Sequence, residues 1–162
     1  MNHFTEKITD KNFIGKLIPQ KAPFMMVDKL LHFEEKKVVA GLTISEDNIF
    51  TQNNRFTAPG LIEHMAQTVA LYTGYQFFLK EESAPTGYIG AIKKAEIFEL
   101  PSVGNELKTT VIILHDIMGV TLVTAETESD GKVIASSEMK TVLAQLFTAP
   151  SADAYGNIRF RN

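Results

Sequence analysis

The 162-residue chain has no cysteine and no tryptophan. Without a thiol there is no cysteine nucleophile, no disulfide scaffold, no thiolate zinc site and no iron–sulfur ligation. Histidine is scarce: His3, His32, His64 and His115 are the only four. No pair of them has a metal-binding spacing with a carboxylate, so neither a metal nor a cofactor is expected. Neither sign of charge dominates. Sixteen basic residues against 19 acidic ones leave a net charge of −3, with no electrostatic footprint for nucleic acid. No segment reaches the ~18 apolar residues of a membrane helix. The opening MNHFTEKITDKNF lacks the basic start and apolar core of a secretory signal. A cytoplasmic location is therefore expected, and the lack of cysteine agrees with it.

What the chain does contain is an ordinary globular balance, 44% hydrophobic and 22% charged, over a length that suits one domain. There is no internal repeat and no low-complexity tract. Thr9 or Asp10 can cap a short helix running through Phe13, Ile14, Leu17 and Ile18 and stopped by Pro19. Residues 24–33 read as a strand and 36–45 as its partner, turned at Glu34-Glu35. Residues 46–57, with Asn48, Asn53 and Asn54, read as a loop.

Ala-Pro-Gly at 58–60 then opens LIEHMAQTVALYTGYQFFLK. Proline suits a first helical turn, where its missing N–H has no partner to lose. The segment is long enough for about five turns. Its apolar residues surround most of the axis, which predicts a buried helix. After Pro85 the pattern turns to strands, at 87–100, 106–116, 120–129 and 132–146. Turn signals separate them, among them Met118-Gly119 and Asp130-Gly131. The expected order is two strands, the long helix, then four strands in a meander. This is an α+β fold with a sheet of about six antiparallel strands wrapped round one helix. Residues 1–147 form the expected domain, and 148–162 a polar tail.

Three stretches resemble the hotdog-fold 3-hydroxyacyl-ACP dehydratases. IPQKAPFMMVDKLLHFEE (18–35) is similar to that family's Pro-x-x-x-Pro-Phe strand ending in Val-Asp. APGLIEHMAQTVALYTG (58–74) is similar to the start of its central helix, with Glu63 in E-x-M-A-Q. GYIGAIKKAEIFELPSVGNEL (87–107) is similar to its strand-turn-strand. Together they make up about one-third of the chain. The short spacing from Pro-Gly to Glu is similar to dehydratases of aryl-polyene and flexirubin-type clusters. The resemblance implies a homodimer whose two sheets join, acyl tunnels at the interface, and an acyl carrier protein presenting a phosphopantetheine thioester. The apolar run VIIL at 111–114 is consistent with a sheet covered on more than one side.

The resemblance also marks residues. Glu63 falls at the family's catalytic acid. A carboxylate early in a buried helix is drawn to its anion by the helix N-terminus and away from it by desolvation, which makes it tunable. Gln67 lies one turn on and either orients Glu63 or is a satisfied polar residue of the helix. The Gly60 N–H is a candidate donor to a thioester carbonyl, or Gly60 is only a helix-start glycine. Arg55 is either a phosphate ligand or a solvated loop residue. His64 follows Glu63 directly, so the two side chains point about 100° apart round the helix. It is either a base supplied across an interface or a packed histidine. His32 and His115 are expected at strand ends, and His3 in the terminus.

The chain departs from the family at one chemical point. The fatty-acid dehydratases write Gly-His-Phe-Pro before the helix, and its histidine removes the substrate α-proton. Here the loop is FTQNNRFTAPG (50–60), and the family's Pro-His is Pro19-Gln20. Three readings follow. The chain is a dehydratase in which His64 serves as base or Glu63 does both jobs. Or it is a non-catalytic partner or acyl-binding subunit, as in a heterodimer with another hotdog protein. Or it is a thioesterase in which a helix carboxylate directs water. One fold hosts all three.

Overall fold

A computed structural model of the chain describes residues 4–144. The expected 148–162 tail and His3 lie outside the described residues. Helix α1 spans Lys11–Leu17. Its cap is Asp10, whose carboxylate accepts the N–H groups of Asn12 and Phe13 at 2.8 and 3.3 Å, which otherwise have no helical partner. Strands β1 (Lys29–Glu34) and β2 (Lys37–Thr43) form a hairpin. Helix α2 spans Ala58–Leu79. Strands β5 (Gly87–Ile97), β6 (Glu106–Ile117), β7 (Val120–Ser129) and β8 (Lys132–Leu143) complete the sheet. Between β2 and α2 a small hairpin joins β3 (Thr51–Gln52) to β4 (Arg55–Phe56).

That small hairpin lies inside the expected loop. Its two central residues are Asn53 and Asn54, with φ of 51° and 61°. Asparagine tolerates the left-handed region at both positions, which a two-residue hairpin turn requires.

All six long strands form one antiparallel sheet in the order β1-β2-β6-β7-β8-β5. This is the hotdog arrangement, with one correction to the expected meander. Only β6, β7 and β8 follow one another. β5 goes to the far edge beside β8, and β6 returns to pair with β2. Chain order could not decide this, because every antiparallel neighbour satisfies the same backbone groups. The choice rests on which edge leaves the helix covered.

The inner face of the sheet packs on α2. Leu61, Met65, Val69 and Leu71 meet Val38, Ala40, Val111, Val123 and Met139, all buried. Thr109 and Thr127 face each other in register inside this core, their hydroxyls 2.6 Å apart, so neither is left unpaired. In the VIIL run, Val111 and Ile113 are buried, while Ile112 and Leu114 are 40% and 42% exposed. Among the described residues, then, the sheet is covered on the helix side only. β5 is exposed over almost its whole length. Among the described residues no helix is long and apolar enough to cross a membrane.

The expected strand 24–33 begins late, at Lys29. Residues 24–27 lie over α2 instead, where the Phe24 carbonyl and both backbone groups of Met26 meet helix side chains, and pairing with β2 starts with the Asp28 N–H, which donates to the Gly41 carbonyl at 2.9 Å. Gln67 donates to the Phe24 carbonyl at 2.7 Å and accepts the Met26 N–H at 2.6 Å. His64 Nδ1 lies 2.6 Å from the Met26 carbonyl. A segment whose polar groups are already met has no need of a neighbouring strand.

Candidate active site

Glu63, Ala66, Gln67, Ala70 and Thr73 recur at helical spacing and form one stripe of α2. Two of the five are alanines, so the stripe is low, and a groove of about 590 Å³ opens above it. Gly87, Tyr88 and Ile89 of β5 form the opposite wall with Thr141 and Leu143 of β8. Pro19, Gln20, Pro85 and Thr86 close its rim. From Glu63 to Thr73 the stripe runs about 15 Å along the helix axis. The groove is therefore long and largely apolar, with a carboxylate near one end.

Glu63 is half-buried on that wall. Its Oε1 accepts a hydrogen bond from Gln67 Nε2 at 2.8 Å. The spacing of four residues puts both side chains on one face, as expected. Gln67 is itself buried, and all its hydrogen-bonding groups are engaged: Nε2 with Glu63 and Phe24, Oε1 with Met26. Its orientation is thereby determined, and so is the bond it offers Glu63.

His64 is not on the groove. It is fully buried. The Met26 carbonyl can only accept, so Nδ1 carries the proton and donates to it. Nε2 is buried with no partner among the described residues. Burial pushes the imidazole down to about 4, against smaller upward effects of the Met26 hydrogen bond and of Asp28. The ring is thus neutral at pH 7. Within one chain it does not share a site with the carboxylate beside it in sequence.

Gly60 is also absent from the groove lining. A Cβ there would stand 2.7 Å from Phe50 Cβ and from Phe56 Cζ. Its lack of a side chain lets the β3–β4 hairpin lie against the helix start. Arg55 is exposed and clamps the connection between β5 and β6, donating from Nη1 to the Leu100 carbonyl at 2.7 Å. It does not line the groove either. His32 is partly exposed beside Glu34, and His115 is exposed.

One groove residue was missed in the sequence. Gln20 lines the rim, and its Oε1 is buried with no partner among the described residues. The available signal was Pro19-Gln20 itself, which replaces a Pro-His pair. It marks a departure at the site rather than a change at a distance from it.

The ApeP-like family, described as ApeP dehydratase, matches residues 13–150. The 3-hydroxyacyl-[acyl-carrier-protein] dehydratase FabZ of Clostridium botulinum (strain Okra) is 35% identical over 148 residues, covering 86% of this chain and 99% of the relative. FabZ of Aliivibrio fischeri is 31% identical over 134 residues, covering 78% of this chain and 88% of its own. Among solved structures, a chain of the dehydratase heterocomplex ApeI:P from Xenorhabdus doucetiae superposes with a TM-score of 0.77. It covers 84% of this chain and 97% of that one at 17% identity, a likeness of fold. From the family match and the full-length similarity to FabZ, the chain belongs to the ApeP-like dehydratase family.

Proposed function

We propose that the protein dehydrates 3-hydroxyacyl thioesters, carried on the phosphopantetheine of an acyl carrier protein, to 2-enoyl thioesters. The observation that carries this reading is the Glu63 carboxylate, held by a fixed glutamine, on the wall of a long apolar groove. The acyl chain lies along the Ala66–Ala70 stripe, and its 2- and 3-carbons stand beside Glu63. No histidine lines the groove among the described residues, so Glu63 serves twice. Its carboxylate takes the proton from C2. The C–H electron pair forms the C2–C3 double bond as the C3–O bond breaks. The proton then passes from Glu63 to the departing hydroxide, which leaves as water. Gln20, on the groove rim, is assigned to the thioester end of the substrate. Gly60, Arg55 and His64 are given no direct contact with it.

Copies of the chain pair through the open edge of β5. An edge strand of 11 residues exposed along most of its length invites another strand. Because Tyr88 and Ile89 belong both to that edge and to the groove, a second subunit would extend the groove wall.

The missing histidine favours one other reading, a partner subunit that shapes the groove for an active hotdog neighbour. Purified protein incubated with a 3-hydroxyacyl-ACP separates them. Enoyl-ACP formed by the protein alone, and lost in Glu63→Gln, supports the first. Turnover that needs a second hotdog protein and survives Glu63→Gln supports the second. Release of free acid and free carrier would overturn both in favour of hydrolysis.

A further inference from the structure

We infer that His64 is a positioning residue for Glu63, acting through the backbone of Met26 and the side chain of Gln67. The inference rests on the proposed role of Glu63 in turnover.

The connection is continuous. His64 Nδ1–H donates to the Met26 carbonyl at 2.6 Å. The Met26 N–H donates to Gln67 Oε1 at 2.6 Å. Gln67 Nε2 donates to Glu63 Oε1 at 2.8 Å and to the Phe24 carbonyl at 2.7 Å. His64 and Gln67 stand three residues apart on α2, so they are neighbours on its surface. Between them they hold both polar groups of one backbone residue, as a strand partner would. Met26 is fully buried and belongs to no strand, so these two side chains hold its backbone across the helix, while Asn48 Nδ2 donates to its sulfur at 3.3 Å.

The logic runs backwards from the carboxylate. Glu63 has a defined orientation because Gln67 has one. Gln67 has one because its oxygen is committed to the Met26 N–H. That N–H stays in place because the carbonyl of the same residue is held by His64. If the His64 donor is removed, the Met26 carbonyl is buried without a partner, a cost that the 24–28 segment relieves by shifting. Gln67 then loses its acceptor contact, and Glu63 its donor. A shift of about 1 Å at a reacting group can cost 10²-fold in rate. His64 suits this task because it is a neutral donor. Asp28 and Lys29, whose charges act on the ring in opposite directions, pair with each other at 2.8 Å.

A plain packing role predicts something different, since it depends on the volume of the ring and not on its N–H. Three variants separate the two: His64→Leu, which fills the space without a donor; His64→Met, an adaptable filler that also lacks the donor; and His64→Asn, which restores an N–H near the Nδ1 position. Two readouts are taken on the full chain. One is the side-chain amide resonance of Gln67 and its hydrogen exchange, which needs no turnover. The other is kcat and KM on 3-hydroxyacyl-ACP. We expect His64→Leu or His64→Met to expose the Gln67 amide to exchange and to lower kcat roughly 10- to 100-fold, with KM within about twofold. His64→Asn should restore protection and most of kcat. In a Gln67→Leu background, His64→Leu should add almost nothing, because the two act in series.

A folded Leu or Met variant with an unmoved Gln67 amide overturns the inference. So does equal damage in the Asn and Leu variants. If the wild-type protein shows no dehydration, the proposed function fails, and the Gln67 amide still decides the connection. If Leu prevents folding, the comparison of Met with Asn decides it.

Discussion

Gln67 donates to Glu63 across 2.8 Å, one helical turn away, while its own oxygen accepts from the backbone of Met26. The carboxylate is thus tied to a segment that lies 37 residues earlier, as Glu63 to Met26, yet crosses the same helix. The helix wall of the site is fixed by a stretch of chain that crosses it, and β5 and β8 supply the opposite wall.

Glu63→Gln keeps the shape and an oxygen acceptor for Gln67 but removes the acid and base. Turnover of 3-hydroxyacyl-ACP should fall about 10²- to 10⁴-fold. The urea midpoint should stay close to wild type, since the bond from Gln67 survives. Enoyl-ACP formation by mass spectrometry, with parallel urea denaturation, checks both halves.

The buried His64 makes the fold acid-sensitive. Its folded value of about 4 lies below the ordinary 6.5. Between these values the unfolded chain binds the extra proton and the folded chain does not. The neutral ring's contribution is fully present above about pH 6.5 and is lost as the pH falls toward 4. A shift of this size corresponds to about 3 kcal/mol. Urea unfolding across pH 4–7 should show stability dropping over that window, and His64→Asn should flatten this part of the slope.

Gly74 of α2 meets the end of α1. A Cβ there would lie 1.7 Å from the Leu17 carbonyl oxygen, and no side-chain rotation relieves a clash with backbone. Gly74→Ala should destabilise by about 3 kcal/mol or more, since the two helices must part. Gly104→Ala is the contrast. Its φ is +88° with nothing within 4 Å, so only backbone strain of about 1–2 kcal/mol applies. Chemical denaturation of the two variants should rank them in that order.

Ile92 stands at the centre of β5 and is 43% exposed. In a two-fold pairing of β5 edges, the centre of the strand lies near its own copy. Ile92→Asp brings two carboxylates together there. Sedimentation should show the proposed β5-edge dimer weakened by at least about tenfold, recovering in part at high salt.

Much of the fold was legible in the chain. Pro59 marked the start of the long helix, Thr9 or Asp10 the cap of the short one (Asp10 in the structure), and Asp130-Gly131 the β7–β8 turn. These are local signals, decided by backbone sterics and by hydrogen bonds within a few residues. The placement of Glu63 and Gln67 on one face followed from helical spacing alone. The strand expected from Phe24 was not legible, because hydrophobic pattern does not reveal that side chains of a distant helix meet a segment's backbone groups. The Asn53-Asn54 hairpin was hidden in a polar stretch whose strands are only two residues each.

By itself, then, the sequence determined the two helices and the long strands apart from where the first begins, the family resemblance and the carboxylate at the helix start. Each depends on contacts within a turn or two, or on residue order. Only the tertiary structure decided that β5 lies at the far edge, that Gln20 reaches the groove, and that His64 turns into the core while Glu63 faces the groove. These depend on which distant surfaces meet, and the same local preferences are compatible with several such meetings until the core is packed.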